Sequence, residues 1–161
     1  MIAVNRSHTS MELTMPVLIR PLELSDRDAW GTLWTGYLTF YKTTLPREQF
    51  DLTWSRLHDP AEPMYVLGAF EGEQMLGIVH YIFHRTCWAT GHTCYLQDLF
   101  TVDAARGKGV GRALIEAVYA AAKIEGASRV YWQTHETNAT AMVLYNKVAE
   151  RSGFLVYRMP M

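Results

Sequence analysis

The feature that most constrains this chain is a glycine-rich segment, RGKGVGR, at residues 106–112. An apolar run of strand character, residues 94–102, precedes it, and a helical pattern with an apolar face at Val110, Leu114 and Val118 follows it. A strand that enters a helix through closely spaced glycines turns several backbone N–H groups into one concavity at the positive end of the helix dipole. The segment therefore predicts an anion site that suits a phosphate group.

Spacing separates three phosphate-binding patterns that compete for this segment. A P-loop requires G-x-x-x-x-G-K-[ST], which the chain lacks. The dinucleotide pattern G-x-G-x-x-G requires glycine where Arg112 stands, and the next predicted strand does not end in an acidic residue that would hold a ribose. The spacing R-x-x-G-x-G, from Arg106 through Gly109 to Gly111, does fit. The alternative interpretation of this segment is a tight connection between strand and helix that binds no ligand.

Length and charge limit the classes of protein that the chain can belong to. Its 161 residues, 49% of them hydrophobic, are enough for one domain with a sizeable core. Fifteen Lys and Arg against sixteen Asp and Glu give a net charge of −1, which favours neither nucleic acid nor an anionic membrane as a partner. No stretch approaches the roughly 18 apolar residues of a membrane span. We expect a flexible arm at residues 1–16, a single domain at residues 17–161 and a cytoplasmic location.

The order of patterns predicts an α+β fold with a mixed, mostly antiparallel central sheet and flanking helices. A helix that begins near Ser25 has an apolar face that includes Trp30, Leu33 and Trp34, and Pro46 begins another. The predicted strands are residues 17–22, 65–70, 75–84, 94–102, 129–133 and 154–158, and the later helices are residues 110–124 and 138–150.

One cluster of potential metal ligands lies near the middle of the chain. His84, Cys87, His92 and Cys94 are separated by two, four and one residues, and these spacings match no common zinc finger. We therefore expect no metal, and we expect both cysteines to be free thiols.

A second motif follows the glycine-rich segment. Asn138 begins a predicted helix, and Tyr145 lies two turns later on the same face, about 10.5 Å along the axis. Residues 138–147, followed by Gly153-Phe154, resemble the N-x-x-A-x-x-L-Y-x-K...G-F signature of GNAT acetyltransferases, and the R-x-x-G-x-G segment resembles their coenzyme A pyrophosphate loop. The span from YLQDLF to SGF is similar to small bacterial and fungal members of the histone and polyamine type. Without the first motif, Asn138 would be a simple helix cap and Tyr145 a buried tyrosine.

The resemblance implies a GNAT fold and an enzyme that transfers an acetyl group from acetyl-CoA to a primary amine, by direct attack in a ternary complex. A polyamine, an amino acid and a peptide or protein lysine all stay open as acceptors. The same resemblance implies a homodimer. The balanced charge and the lack of a membrane span lead us to expect no nucleic acid or membrane partner. A module of the same fold that binds acetyl-CoA as a sensor, without catalysis, is the alternative function.

The resemblance also assigns roles to particular residues. Tyr145 resembles the family's general acid, and the backbone of residues 99–101 is expected to bind pantetheine. The expected coenzyme-binding residues are Leu99, Phe100, Thr101, Arg106, Gly107, Lys108, Gly109, Val110, Gly111, Arg112, Asn138, Tyr145 and Lys147. The expected acceptor-binding residues are Trp34, Tyr37, Tyr41, Gln97, Trp132 and His135.

The sequence leaves the identity of the general base open. An alkylammonium has a pKa of about 10.4, so only about one molecule in 2,500 is neutral at pH 7 and a base is expected. Polyamine acetyltransferases often have Glu where this chain has Gln97, which cannot act as a base. Asp98, Glu136, His135 and an ordered water are the candidates, with Asp98 and Glu136 favoured as catalytic residues. Strand alternation predicts opposite directions for Gln97 and Asp98 unless a bulge intervenes.

Overall fold

A computed structural model describes residues 16–161 of the protein. The arm expected at residues 1–16 lies outside this part of the chain, apart from its last residue. Across residues 16–161, every helix is too short or too polar to cross a membrane. The elements are β1 (Leu18–Pro21), α1 (Arg27–Phe40), α2 (Arg47–Leu57), β2 (Met64–Glu71), β3 (Gln74–His84), β4 (Thr93–Thr101), α3 (Val110–Ile124), β5 (Val130–Tyr131) and α4 (Ala139–Val148), with single 3-10 turns at Leu24–Asp26 and Asp103–Ala105.

The five strands form one sheet in the order β1-β2-β3-β4-β5. The first four pair antiparallel, and β5 pairs parallel to β4, so the prediction of a mixed, mostly antiparallel sheet is confirmed. The β4–β5 ladder has only two pairs, Cys94 with Val130 and Tyr95 with Tyr131. Residues 96–101 of β4 therefore have no partner strand on that side within the described chain. Strand β5 is shorter than the predicted residues 129–133.

Each face of the sheet carries its own hydrophobic core. Helix α3 covers one face through Val110, Leu114 and Val118, which are fully buried and match the predicted apolar face. Helices α1 and α2 cover the other face with an aromatic cluster. Its rings are Trp30, Trp34, Phe50, Phe70 and Trp54.

A β-bulge in β4 decides where its polar residues lie. His80 of β3 pairs with Asp98, but the next residue, Tyr81, pairs with Leu96, so Gln97 is the extra residue. Leu96 belongs to the core under α3, whereas Asp98, two residues later, is buried on the α1 side. The bulge reverses the alternation of the strand, as the sequence allowed but did not require. Gln97 is left exposed to solvent.

A glycine allows α1 to approach β4 closely. A Cβ on Gly36 would lie 2.7 Å from Cζ of Phe100, which is too close for any real contact. Only glycine therefore permits this spacing without movement of Phe100. The close approach brings the next residue of α1, Tyr37, towards the part of β4 that contains Asp98.

The predicted final strand at residues 154–158 is wrong for the single chain. Residues 149–161 form no helix or strand, and Phe154, Leu155, Val156 and Tyr157 are between 66% and 89% exposed. These residues have the β-branched and aromatic character of a strand. A strand also requires a neighbour to accept its hydrogen bonds, and the described chain offers this segment none.

Candidate active site

The glycine-rich segment forms a tight turn that ends at the start of α3. Gly107 and Gly109 have φ of +74° and +72°, a left-handed conformation that raises the free energy of other residues by about 1–2 kcal/mol. Gly109 is the last residue before α3, and its carbonyl accepts the N–H of Ala113 at 3.0 Å. The first N–H groups of a helix have no acceptor within the helix. The turn thus presents backbone donors at the positive end of the α3 dipole, which fits a diphosphate.

The basic side chains of this turn are paired with carboxylates. Arg106 Nη2 lies 2.8 Å from Asp103 Oδ1, Lys108 Nζ lies 2.8 Å from Glu71 Oε2, and Arg112 Nε lies 3.1 Å from Glu116 Oε1. Arg106 is the most exposed of the three, at 82% of its side chain, so it can reach a ligand at little cost. Lys147, near the C-terminal end of α4, is also exposed.

Helix α4 packs beside this turn and carries Tyr145. A Cβ on Gly111 would lie 3.4 Å from Leu144, the neighbour of Tyr145, and the Tyr119 hydroxyl donates to the Val148 carbonyl at 3.0 Å. The Tyr145 ring lies 5.4 Å from that of Trp132. Burial, with a smaller contribution from Tyr41, raises the pKa of Tyr145 to about 12. Tyr145 is therefore a neutral phenol, a hydrogen-bond donor, at any physiological pH.

The backbone of β4 between these two features is open. Leu99, Phe100 and Thr101 lie in the stretch that has no partner strand on the β5 side, immediately before the glycine-rich turn. Unpaired N–H and C=O groups at a sheet edge can bind an extended ligand as an added strand would. An amide-bearing chain such as pantetheine has groups of this kind, so the expected coenzyme-binding residues fit it.

Asp98 lies among three tyrosines at this end of β4. Burial, the negative charge of Asp98 and a hydrogen bond with it raise the pKa of Tyr37 far above its usual range. Burial and the charge of Asp98 also raise the pKa values of Tyr41 and Tyr95. Tyr41 also contributes to the raised pKa of Tyr145, so Tyr41 lies near both the Asp98 carboxylate and the Tyr145 phenol.

A buried series of hydrogen bonds that ends at Asp98 was not foreseen from the sequence. Trp30 Nε1 lies 2.8 Å from His80 Nε2, and His80 Nδ1 lies 2.8 Å from Asp98 Oδ2. The exposed fractions of Trp30, His80 and Asp98 are 0%, 5% and 7%. The available signal was a histidine at an inward position of an apolar strand, because a buried polar group requires a partner.

The loop before α4 contains the other expected polar residues. Asn138 Nδ2 donates to Thr134 Oγ1 at 3.2 Å, and His135 Nδ1 lies 2.7 Å from Thr137 Oγ1. Glu136 is exposed between them. These contacts are local to the loop, whereas Asp98 is buried beside Tyr37 and Tyr41, which are expected to bind the acceptor.

A cavity of about 370 Å³ lies between α2 and the bulge. Its walls include Trp34, Arg56, His80, Gln97 and Asp98. Arg56 Nε lies 3.5 Å from Glu62 Oε1, and among the described residues Arg56 has this one ion pair. The cavity thus has a carboxylate and a guanidinium in its walls, which suits a small ligand with charges of both signs.

Comparison with known proteins identifies the chain. The model of the acetyltransferase (GNAT) family matches residues 28–149. The chain belongs to this family. A D-amino-acid N-acetyltransferase of Saccharomyces cerevisiae is 38% identical over 144 residues, which are 88% of this chain and 89% of that protein. A thialysine N-epsilon-acetyltransferase of Mus musculus is 29% identical over 103 residues, 61% of this chain and 60% of that protein.

Solved structures agree on the fold. A ribosomal-protein-alanine N-acetyltransferase from Brucella melitensis has a TM-score of 0.73 at 19% identity, with 90% of this chain and 99% of that chain covered. AAC(6')-Iy, in complex with the bisubstrate analogue CoA-S-monomethyl-acetylneamine, has a TM-score of 0.78 at 14% identity, with 90% and 98% covered. The expected GNAT fold is confirmed. The expectation of an enzyme of the N-acetyltransferase class is confirmed by the named relatives, which disfavours the sensor alternative.

Proposed function

We propose that this GNAT enzyme transfers an acetyl group from acetyl-CoA to the amine of a small acceptor by direct attack in a ternary complex. The observation that carries the proposal is the convergence of three features along β4. The glycine-rich turn supplies phosphate-binding donors, residues 99–101 supply an open strand edge, and Tyr145 and Asp98 supply a hydrogen-bond donor and a proton acceptor.

Acetyl-CoA supplies the acetyl thioester, and the chain has to handle protons at both ends of the reaction. Making an alkylammonium neutral at pH 7 costs about 4.6 kcal/mol, from a pKa of about 10.4. We assign the removal of that proton to Asp98, which is buried and accepts hydrogen bonds from the side chains around it. Asp98 then releases the proton to solvent before the next turnover.

Tyr145 acts on the leaving sulfur. A phenol with a pKa of about 12 opposite a thiol with a pKa near 8.5 makes full proton transfer uphill by roughly 5 kcal/mol. Tyr145 therefore donates a hydrogen bond to the charge that develops on sulfur, and the proton that the amine loses during amide formation completes the thiol. This assignment is narrower than the general acid that the resemblance implies.

For the acceptor, we propose an amino acid with a free carboxylate. Arg56 and Asp98 line the same cavity, so a zwitterion can direct its carboxylate to the guanidinium and its ammonium to the Asp98 carboxylate. Trp34, in the same wall, has a buried indole N–H without a partner among the described residues. Such a group costs about 1–3 kcal/mol, and a ligand carboxylate oxygen would accept from it if the indole turned towards the cavity. A polyamine would instead meet the positive charge of Arg56.

The names of the relatives support this choice over a polyamine or a protein lysine. The yeast relative is named for D-amino acids, and the mouse relative is named for thialysine. Both names are those of amino acids, and neither names a polyamine or a protein.

Paired acceptors test the activity and the acceptor class together. Release of free thiol from acetyl-CoA is measured with D- and L-amino acids, with the amines made by removing their carboxylates, with polyamines and with histone-tail peptides. We expect amino acids to be preferred at least tenfold, and Arg56→Gln to abolish that preference without slowing the simple amines. Arg47→Gln, an exposed arginine on the same helix, is the matched control. No thiol release with any acceptor contradicts the activity, and a polyamine preference contradicts the acceptor class.

We further propose a homodimer in a cytoplasmic location. The support for the dimer is the exposed apolar tail after α4, which has strand-like composition and no neighbouring strand within residues 16–161. Analytical ultracentrifugation of the full chain and of a chain ending at Gly153 tests it, with a dimer expected only for the former. Fractionation of cells that express the full chain tests the location.

A further inference from the structure

The three buried residues Trp30, His80 and Asp98 determine where one hydrogen atom lies. An indole nitrogen can only donate, so Trp30 Nε1 at 2.8 Å makes His80 Nε2 an acceptor that carries no hydrogen. A neutral imidazole has one N–H, which must then be on Nδ1 and point at Asp98 Oδ2, 2.8 Å away. A hydrogen on His80 Nε2 would point directly at the indole N–H, so the contact with Trp30 excludes it.

We propose that Trp30 and His80 are positioning residues that hold Asp98 as an oriented, proton-accepting carboxylate. The proposal rests on the proposed role of Asp98 as the base. Trp30 fixes the tautomer of His80, and His80 in turn occupies one carboxylate oxygen, Oδ2. A buried carboxylate without donors would be destabilised relative to its neutral form, and a protonated Asp98 could not accept the ammonium proton.

The position of the Trp30–His80–Asp98 hydrogen bonds within the fold distinguishes this role from simple core packing. Asp98 is at the bulge of β4, at the wall of the cavity proposed for the acceptor, and not in the middle of an apolar layer. Gln97, the extra residue of the bulge, is what turns Asp98 towards His80 on the neighbouring strand. The bulge and the hydrogen bonds therefore both act on the Asp98 side chain. The bulge sets the face of the strand on which the side chain lies, and the hydrogen bonds set the rotation of its carboxylate.

Trp30→Phe removes the indole N–H and retains an aromatic ring in the cluster. We expect kcat to fall by about tenfold or more, as when a catalytic histidine loses its correct tautomer, and KM for acetyl-CoA to change less than twofold. Trp54→Phe is the matched control, because Trp54 is buried in the same cluster with its ring 4.8 Å from that of Trp30. It makes no hydrogen bond to His80, so we expect its kcat to stay within twofold of the wild type.

His80 offers a second pair of variants. The side-chain amide nitrogen of Asn lies near the position of Nδ1 and that of Gln near the position of Nε2. We expect His80→Asn to retain a donor towards Asp98 and to recover at least tenfold more kcat than His80→Gln. Thermal unfolding of each variant separates loss of fold from loss of turnover, since equal kcat at equal folded fraction for Asn and Gln would overturn the proposal.

Nitrogen NMR of the imidazole gives a readout that does not depend on activity. We expect the His80 ring in the wild type to carry its hydrogen on Nδ1, and Trp30→Phe to lose that single tautomer. A wild-type His80 with its hydrogen on Nε2 overturns the proposal even if Asp98 proves to be the base. Full activity of Asp98→Asn with an Nδ1–H tautomer instead contradicts the role of Asp98 and leaves the hydrogen-bond geometry intact.

Discussion

The two sides of β4 are built by different means. On the coenzyme side, which comprises the glycine-rich turn, residues 96–101 of β4 and α4, the groups suited to the ligand are mostly backbone N–H and C=O. On the acceptor side, which comprises α1, α2 and β3, they are side chains in buried hydrogen bonds. The coenzyme side should therefore tolerate side-chain changes that keep its backbone conformation, and the acceptor side should not.

The largest effect that tests this contrast is expected for Asp98→Asn. Asn has nearly the same shape but cannot take up the proton, so we expect kcat to fall by about 10²- to 10⁴-fold. Calorimetry should show acetyl-CoA affinity within twofold of the wild type, because the two functions lie on different sides of β4. Glu150→Gln, at an exposed position, serves as the control. A loss below tenfold would return Glu136, His135 or a water to consideration as the base.

Tyr145→Phe tests the one side chain on the coenzyme side that we assign to chemistry. We expect turnover to fall about 10²-fold, the typical loss when one donor to a developing charge is removed, with little change in coenzyme affinity. Because the raised pKa of about 12 keeps the phenol protonated, the wild-type and variant rates should follow the same pH profile up to about pH 10. Equal losses in turnover and affinity would remove Tyr145 from this role.

The same contrast explains which parts of the molecule could be predicted from the sequence. The glycine-rich turn is contiguous, and Gly107 and Gly109 indeed have positive φ. The mixed sheet followed from the order of local patterns, and the family match from the two motifs. Local sequence was sufficient to predict those features that depend on local backbone conformation.

The acceptor side could not be predicted because its contacts are distant in sequence. Trp30 and His80 are 50 residues apart, and His80 and Asp98 are 18 apart. Their contact also depends on the bulge at Gln97, which shifts the register between two strands. The prediction of a last strand was wrong for a related reason, since strand composition alone does not supply the neighbouring strand that a strand needs.

Gly109→Ala tests the backbone of the turn directly. Alanine at φ +72° raises the free energy of the turn by about 1–2 kcal/mol, and no atom of the described residues lies near enough to clash with its Cβ. In the free enzyme the strained turn relaxes away from this conformation, and acetyl-CoA has to restore it, so we expect KM for acetyl-CoA to rise roughly 5- to 30-fold, the equivalent of that strain. Gly126→Ala is the matched control, because Gly126 has φ +69° and equal free space at the far end of α3. It should lower stability by a similar amount and leave KM unchanged.

Lys108→Met should have the smallest effect. Lys108 donates to both oxygens of Glu71, at 3.0 and 2.8 Å, so its charge is already engaged away from the turn. A partly exposed ion pair is worth about 0–1 kcal/mol, and we therefore expect KM for acetyl-CoA to change less than about fivefold. Steady-state kinetics at several acetyl-CoA concentrations measures the change. A rise of tenfold or more would mean that a side-chain charge, not the backbone, holds the pyrophosphate, and the contrast between the two sides of β4 would fail at its strongest point.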